Sequence, residues 1–224
     1  MTEPSPAVPG LRLAVLISGR GSNMLAIARA CEDGRLSARV VLVLSDVPDA
    51  GGLDAARELD LPAEAVTYVP GADRKATRLA FEAALTARLE AARPDLVVLA
   101  GFMRVLSADF VARFAGRMLN IHPSLLPAYK GLHTHERVLA AGEREHGASV
   151  HFVTAALDDG PLLLQARVPV LPGDTPESLS ARVQRQEHII YPQVIQWIAE
   201  GRLGCKDGQA LFDGEPLREP RQLA

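Results

Sequence analysis

Asn120 and His122 stand two residues apart in the segment L-N-I-H-P-S-L-L-P-A-Y-K-G, residues 119–131. One side chain is a neutral carboxamide donor and the other titrates near neutral pH. Met118, Leu119 and Ile121 make the surrounding run apolar, and Pro123 cannot continue a sheet ladder. In a strand, side chains i and i+2 leave the same face. Asn120 and His122 are therefore expected to point together beyond the strand's carboxyl end, where open parallel sheets bind their ligands. That pair suits acyl transfer: the amide steadies an oxyanion and the imidazole moves a proton.

The elements that must position this pair alternate along the chain. Apolar runs at residues 11–17, 40–44, 65–69 and 96–100 read as strands, the third of them weak. Helical periodicity fills the gaps at 22–31, 53–59, 73–92 and 107–114, with Asp73 and Ser107 as N-caps. After the Asn120 strand come a helix at 134–141, strands at 148–154 and 162–170, and a long helix from a Thr175 cap to about residue 199. Strand and helix in repetition predict an α/β, doubly wound, mostly parallel sheet with helices on both faces. The later strands are expected as antiparallel additions at one edge. Residues 11–203 read as a single domain. Residues 1–10 are Pro-rich, without a basic region followed by an apolar one, and read as a disordered tail and not a signal peptide. Residues 204–224 carry the turn dipeptides Asp207-Gly208 and Asp213-Gly214 and read as a closing hairpin or as a tail.

A second chemical feature sits between the first strand and the first helix. It reads S-G-R-G-S-N, residues 18–23. Gly19 and Gly21 let the backbone turn tightly, and the helix start at Ser22 and Asn23 favours an anion. Met24 occupies the third glycine position of the dinucleotide fingerprint, and no Lys follows as in a Walker A loop. The loop thus suggests a phosphate without a dinucleotide. An ordinary tight connection with Ser22 as N-cap would look the same.

Other polar residues carry weaker signals. Asp46, beside Pro48, is expected to start a turn. Asp158 and Asp159 lie in A-A-L-D-D-G-P, from which a carboxylate could reach back to His122 and favour its imidazolium form. On the residues alone, a surface Asp-Gly turn is the better reading. His133, His135, His146 and His151 match no common metal spacing, so capping or core hydrogen bonding is expected and no metal site. Gln184 and Glu187 share one helix face, which also reads as a solvated charged face.

Composition bounds the rest. The chain has 224 residues, 48% of them hydrophobic, which permits a substantial core. A net charge of -3 disfavours a nucleic-acid or anionic-membrane surface. Cys31 and Cys205 are far apart and fit a reducing cytoplasm. No apolar run is long enough to span a bilayer.

From residue 13 to residue 203 the chain closely resembles the glycinamide ribonucleotide formyltransferases, folate-dependent enzymes of purine synthesis. S-G-R-G-S-N, L-A-G-F-M-R-V-L (residues 99–106) and L-N-I-H-P-S-L-L-P carry the resemblance. G-L-H-T-H, E-H-G-A-S-V-H-F-V-T, L-D-D-G-P and V-Q-R-Q-E-H-I-I-Y-P continue it in family order. The N-x-H and D-x-G elements are shared with other formyl-tetrahydrofolate enzymes. The phosphate loop together with Gln184 and Glu187 is more specific. Asp159 departs from the family, in which that position is often Gly, and the Pro-rich start is extra.

The resemblance implies the formyltransferase fold and places Asn120, His122 and Asp158 on the family's catalytic positions. It implies that Gly19, Gly21, Ser22, Asn23, Gln184 and Glu187 hold the phosphate and ribose of the ribonucleotide. It makes Phe102, Met103, Arg104, Val105 and Leu106, with Asn120, the wall of the folate pocket. The co-substrate would be 10-formyltetrahydrofolate, with no metal required. Its partners would be small molecules, with no nucleic acid or membrane, and the protein a cytoplasmic monomer or weak homodimer. Two formyl-folate alternatives are a hydrolase using the same three residues on water and a methionyl-tRNA formyltransferase. Each would call for an extra domain, for which the chain has no room. A non-catalytic phosphate- or folate-binding module on the same fold is disfavoured by the presence of all three polar positions.

Overall fold

The computed structural model describes residues 10–223. The tail expected at residues 1–10 therefore lies, apart from Gly10, outside the described residues. The chain runs β1 (Leu11–Ile17), α1 (Ser22–Glu32), β2 (Ala38–Ser45), α2 (Gly51–Glu58), β3 (Ala63–Ala65), α3 (Arg74–Ala92), β4 (Leu96–Leu99) and α4 (Ala108–Arg113). It continues through β5 (Met118–His122), α5 (Thr134–Ala140), β6 (Glu145–Phe152), β7 (Leu162–Pro169) and α6 (Pro176–Ala199). Four short strands close it: β8 (Leu203–Lys206), β9 (Gln209–Phe212), β10 (Glu215–Pro216) and β11 (Arg221–Gln222).

One sheet orders its strands β11-β7-β6-β5-β4-β1-β2-β3. Pairing is parallel from β3 through β5, and antiparallel from β5 to β6 and from β6 to β7. The chain first winds outward from β1 to β3, then crosses back to lay β4 on the other side of β1. The crevice beyond the carboxyl ends of β1 and β4 is therefore the topological switch point, the place where doubly wound sheets receive ligands.

Alternation along the central strands feeds two cores. Leu13, Val15, Ile17, Leu119 and Ile121 pack under α1, α2, α5 and α6. Ala14, Leu16, Leu99 and Met118 pack under α3 and α4. Asn120 and His122 alternate with Leu119 and Ile121, so they share the face of Met118, at the open end of the α3/α4 layer. The helix starts follow their caps. Asp73 accepts from the backbone of Lys75 and Ala76, and Ser107 accepts from that of Phe110. Thr175 accepts from Ser178 ahead of Pro176. Each cap contributes about 1 kcal/mol to holding its helix in register.

Three local expectations change. The weak strand at 65–69 is instead β3, because β2 ends at Ser45 and the last residue of β3 it can pair is Ala65. Val66 still donates its N–H to Ser45 O, and past it the chain leaves the sheet, with Val69 exposed. The turn dipeptides join β8, β9 and β10 into a small antiparallel sheet, but the chain then returns: β11 pairs in parallel with β7 at the edge of the main sheet. Finally, Gly21, in the left-handed conformation, is the N-cap of α1, and Ser22 is its first residue.

Candidate active site

The loop after β1 is shaped by crowding. Gly21 has φ of 71°, and a Cβ there would come 3.0 Å from the Cα of Gly52. Only glycine takes that conformation at so close an approach without strain. No side chain caps α1, the arrangement in which first-turn N–H groups of a helix favour an anion. Two residues of α6 close on it: Gln184 donates to Ser22 Oγ at 2.9 Å, and Asn23 donates to Glu187 Oε2 at 2.8 Å. The Oδ1 of Asn23 is buried without a protein partner. Burial raises the Glu187 carboxyl above its usual pKa, against the opposing hydrogen bond from Asn23. The solvated-face reading of Gln184 and Glu187 gives way, because α6 packs against α1 and turns both side chains onto the loop.

Asp46 also departs from expectation. It is buried and accepts from Ser18 Oγ at 2.5 Å and from Arg104 Nε at 2.7 Å. Ser18 in turn accepts from the backbone N–H of Met103 at 2.8 Å. One carboxylate thus ties the loop after β1 to the segment after β4. The Arg104 guanidinium also lies over the Tyr68 ring, 4.2 Å from its centroid. Along residues 102–106, Phe102 and Leu106 turn into the core while Met103 and Val105 are each 65% exposed. A cavity of about 220 Å³ opens beside them, lined also by Tyr68, Arg78 and Phe81.

At the end of β5, His122 is buried, and its Nε2 lies 3.0 Å from the carbonyl oxygen of Tyr129. A carbonyl only accepts, so Nε2 carries the proton. Nδ1 then faces Asp158 Oδ2 at 3.5 Å. Asp158 is itself buried and accepts from the Gly131 N–H at 2.9 Å, while Asp159 turns outward to pair with Lys130. The 123–131 segment that supplies these partners is held from below: Ser149 donates to Ser124 O, and Gln165 donates to Leu126 O and to Ser149 Oγ.

Of the remaining histidines, His188 has its Nε2 buried without a hydrogen-bond partner, and the others meet neighbouring groups. His151 lies 3.2 Å from the Asn120 amide nitrogen, and His135 lies 3.0 Å from His146. His133 begins α5. Among the described residues no group of three or more His, Cys, Asp or Glu side chains could hold a metal ion, and no helix is long and apolar enough to cross a membrane.

Ser149 and Gln165 were not singled out from the sequence, Asp46 was read only as a turn residue, and His151 was expected to make core hydrogen bonds, which it does, though without its partner being named. Each acts across strands distant in the chain, and only the register Asn120↔His151 and His122↔Ser149 reveals two of them.

A switch-point crevice that joins an uncapped helix end, an amide–imidazole–carboxylate cluster and an apolar wall defines a group-transfer site. The formyl transferase family model matches residues 11–195. The phosphoribosylglycinamide formyltransferase of Escherichia coli K12 is 50% identical over 207 residues, 92% of this chain and 96% of that protein. The structure of the phosphoribosylglycinamide formyltransferase of Coxiella burnetii superimposes with a TM-score of 0.89 at 47% identity, covering 96% of this chain and all of that one. A formyltetrahydrofolate deformylase from Burkholderia mallei shares the fold at TM-score 0.80 but 28% identity, covering 92% of this chain and 71% of that one. The chain belongs to the formyl transferase family.

Proposed function

We propose that the protein transfers the formyl group of 10-formyltetrahydrofolate to the amine of 5-phosphoribosylglycinamide, a step of purine synthesis in the cytoplasm. The observation that carries this reading is the meeting of Asn120, His122 and Asp158 at one strand end, across the switch-point crevice from the uncapped start of α1. The similarity to the Escherichia coli enzyme supports the choice of acceptor.

On this reading the ribonucleotide phosphate rests on backbone N–H groups at Gly21, Ser22 and Asn23, with Gly19 clearing the approach. Gln184 and Glu187 bound the phosphate and ribose side. The folate lies along residues 102–106, with Arg104 near the pterin. The amine nitrogen attacks the formyl carbon, and the carbonyl oxygen becomes an oxyanion. Asn120 and protonated His122 donate hydrogen bonds to it. The Tyr129 carbonyl keeps Nε2 of His122 occupied, and Nδ1, whose 3.5 Å separation from Asp158 is an ion-pair distance and longer than an ordinary hydrogen bond, is the nitrogen left to donate to the oxyanion. Asp158 supports the imidazolium and organises water for proton transfer. The C–N bond to the folate breaks, and the proton shed by the amine ends on the folate nitrogen. No step calls on a metal, because the formyl group is already activated on a weakly basic nitrogen. Side-by-side binding supplies the orientation term.

Carbon-13-labelled formyl folate tests the acceptor. Incubation with 5-phosphoribosylglycinamide should place the label in formylglycinamide ribonucleotide. Label recovered as formate alone would assign the hydrolase reaction and overturn the proposal.

A further inference from the structure

His151 sits directly across the antiparallel ladder from Asn120, 3% exposed. Its Nδ1 lies 2.9 Å from the carbonyl oxygen of Phe152. That oxygen can only accept, so Nδ1 carries a proton, and in the neutral ring Nε2 is a bare acceptor. This Nε2 lies 3.2 Å from the Asn120 amide nitrogen. A carboxamide has two orientations of nearly equal shape, and they differ in whether nitrogen or oxygen meets a given neighbour. With Nε2 bare, only the nitrogen can face His151, since turning the amide would set two acceptors together.

We propose that His151 is a positioning residue for formyl transfer: it holds the Asn120 carboxamide by one N–H and so keeps the second N–H in place to meet the developing oxyanion. The inference rests on the reading of Asn120 as an oxyanion donor. His151 does not touch substrate in this scheme, and it acts through Asn120. An amide that is held needs no reorientation when charge appears, which is what makes a fixed donor effective.

The arrangement requires a neutral His151 ring. Burial lowers its pKa, and the neighbouring charges are Asp158, whose Oδ1 is 4.0 Å from Nε2, with His122 and Lys130. The hydrogen bond to Phe152 O and then Asp158 work against the lowering, while His122 and Lys130 add to it. A protonated His151 would turn Nε2 into a donor and favour the wrong amide orientation.

The test has two arms. Nitrogen-15 NMR of histidine-labelled protein at neutral pH should show His151 with a protonated Nδ1 and a bare Nε2. An Nε2–H tautomer or an imidazolium would overturn the proposal without any variant being made. The second arm is a double-mutant cycle. His151→Phe should lower kcat about tenfold, the effect of one ordinary hydrogen bond, with both KM values little changed. His151→Gln, which keeps an acceptor and a donor, should recover most of the loss. In an Asn120→Ala background, His151→Phe should cost nothing further. A further tenfold loss there would end the proposal and leave the role of Asn120 standing. If Asn120→Ala alone leaves turnover unchanged, the oxyanion reading fails, and the positioning role fails with it.

Discussion

The Asp158 carboxylate lies 3.5 Å from Nδ1 of His122, and both side chains are buried. The adjacent acid, Asp159, points the other way, to Lys130 at the surface. Two neighbouring acids therefore have opposite fates. Asp158→Asn should lower formyl-transfer turnover by roughly 10²-fold or more, the range for a lost acid–base participant. Asp159→Asn should leave turnover within a few-fold and stability within about 1 kcal/mol, because its ion pair is exposed. Steady-state rates of both variants decide it. Loss of activity in Asp159→Asn alone would place the functional acid one residue later.

Asn120→Ala should reduce turnover by roughly 10²–10³, as removal of an oxyanion donor does. The dissociation constants of both substrates, read by calorimetry, should stay close to those of the parent. A matched fall in binding and turnover would instead make Asn120 a ground-state contact.

Gly21→Ala should destabilise the fold by about 1–3 kcal/mol. The added Cβ would sit in a left-handed conformation 3.0 Å from the Gly52 Cα. Gly19 has open space where its Cβ would go, so Gly19→Ala should cost much less. Urea midpoints of the two variants make the comparison, and equal losses would contradict it.

Stability should fall on mild acidification in part through His146. Burial, together with the nearby His135 and His122, pushes its pKa from 6.5 down to about 4. The unfolded chain then takes up the proton first. The stability tied to the neutral ring is full above about pH 6.5 and is lost as pH falls toward about 4. His146→Gln should flatten this part of the stability–pH curve, measured by urea unfolding between the two limits. An unchanged slope would show that His146 titrates normally.

The alternation of strand and helix was legible because buried parallel strands read as apolar runs and helices carry their own caps. Asp73, Ser107 and Thr175 each cap the helix expected of them. The spacing of Asn120 and His122 also fixed their common face. Asp158 was not legible from its own surroundings, which read as a surface turn, and only the family resemblance drew it to His122. Asp46 looked like a turn residue because its partners, Ser18 and Arg104, are 28 and 58 positions away. The pairing of His151 with Asn120, and β11, were missed for the same reason: cross-strand register is a property of the assembled sheet and leaves no local pattern.

The central claim is tested most directly by following tetrahydrofolate release from 10-formyltetrahydrofolate by the purified protein, with and without 5-phosphoribosylglycinamide. The account predicts rapid release that depends on the ribonucleotide and matches the formylated product mole for mole. Release at the same rate when water is the only acceptor would contradict it.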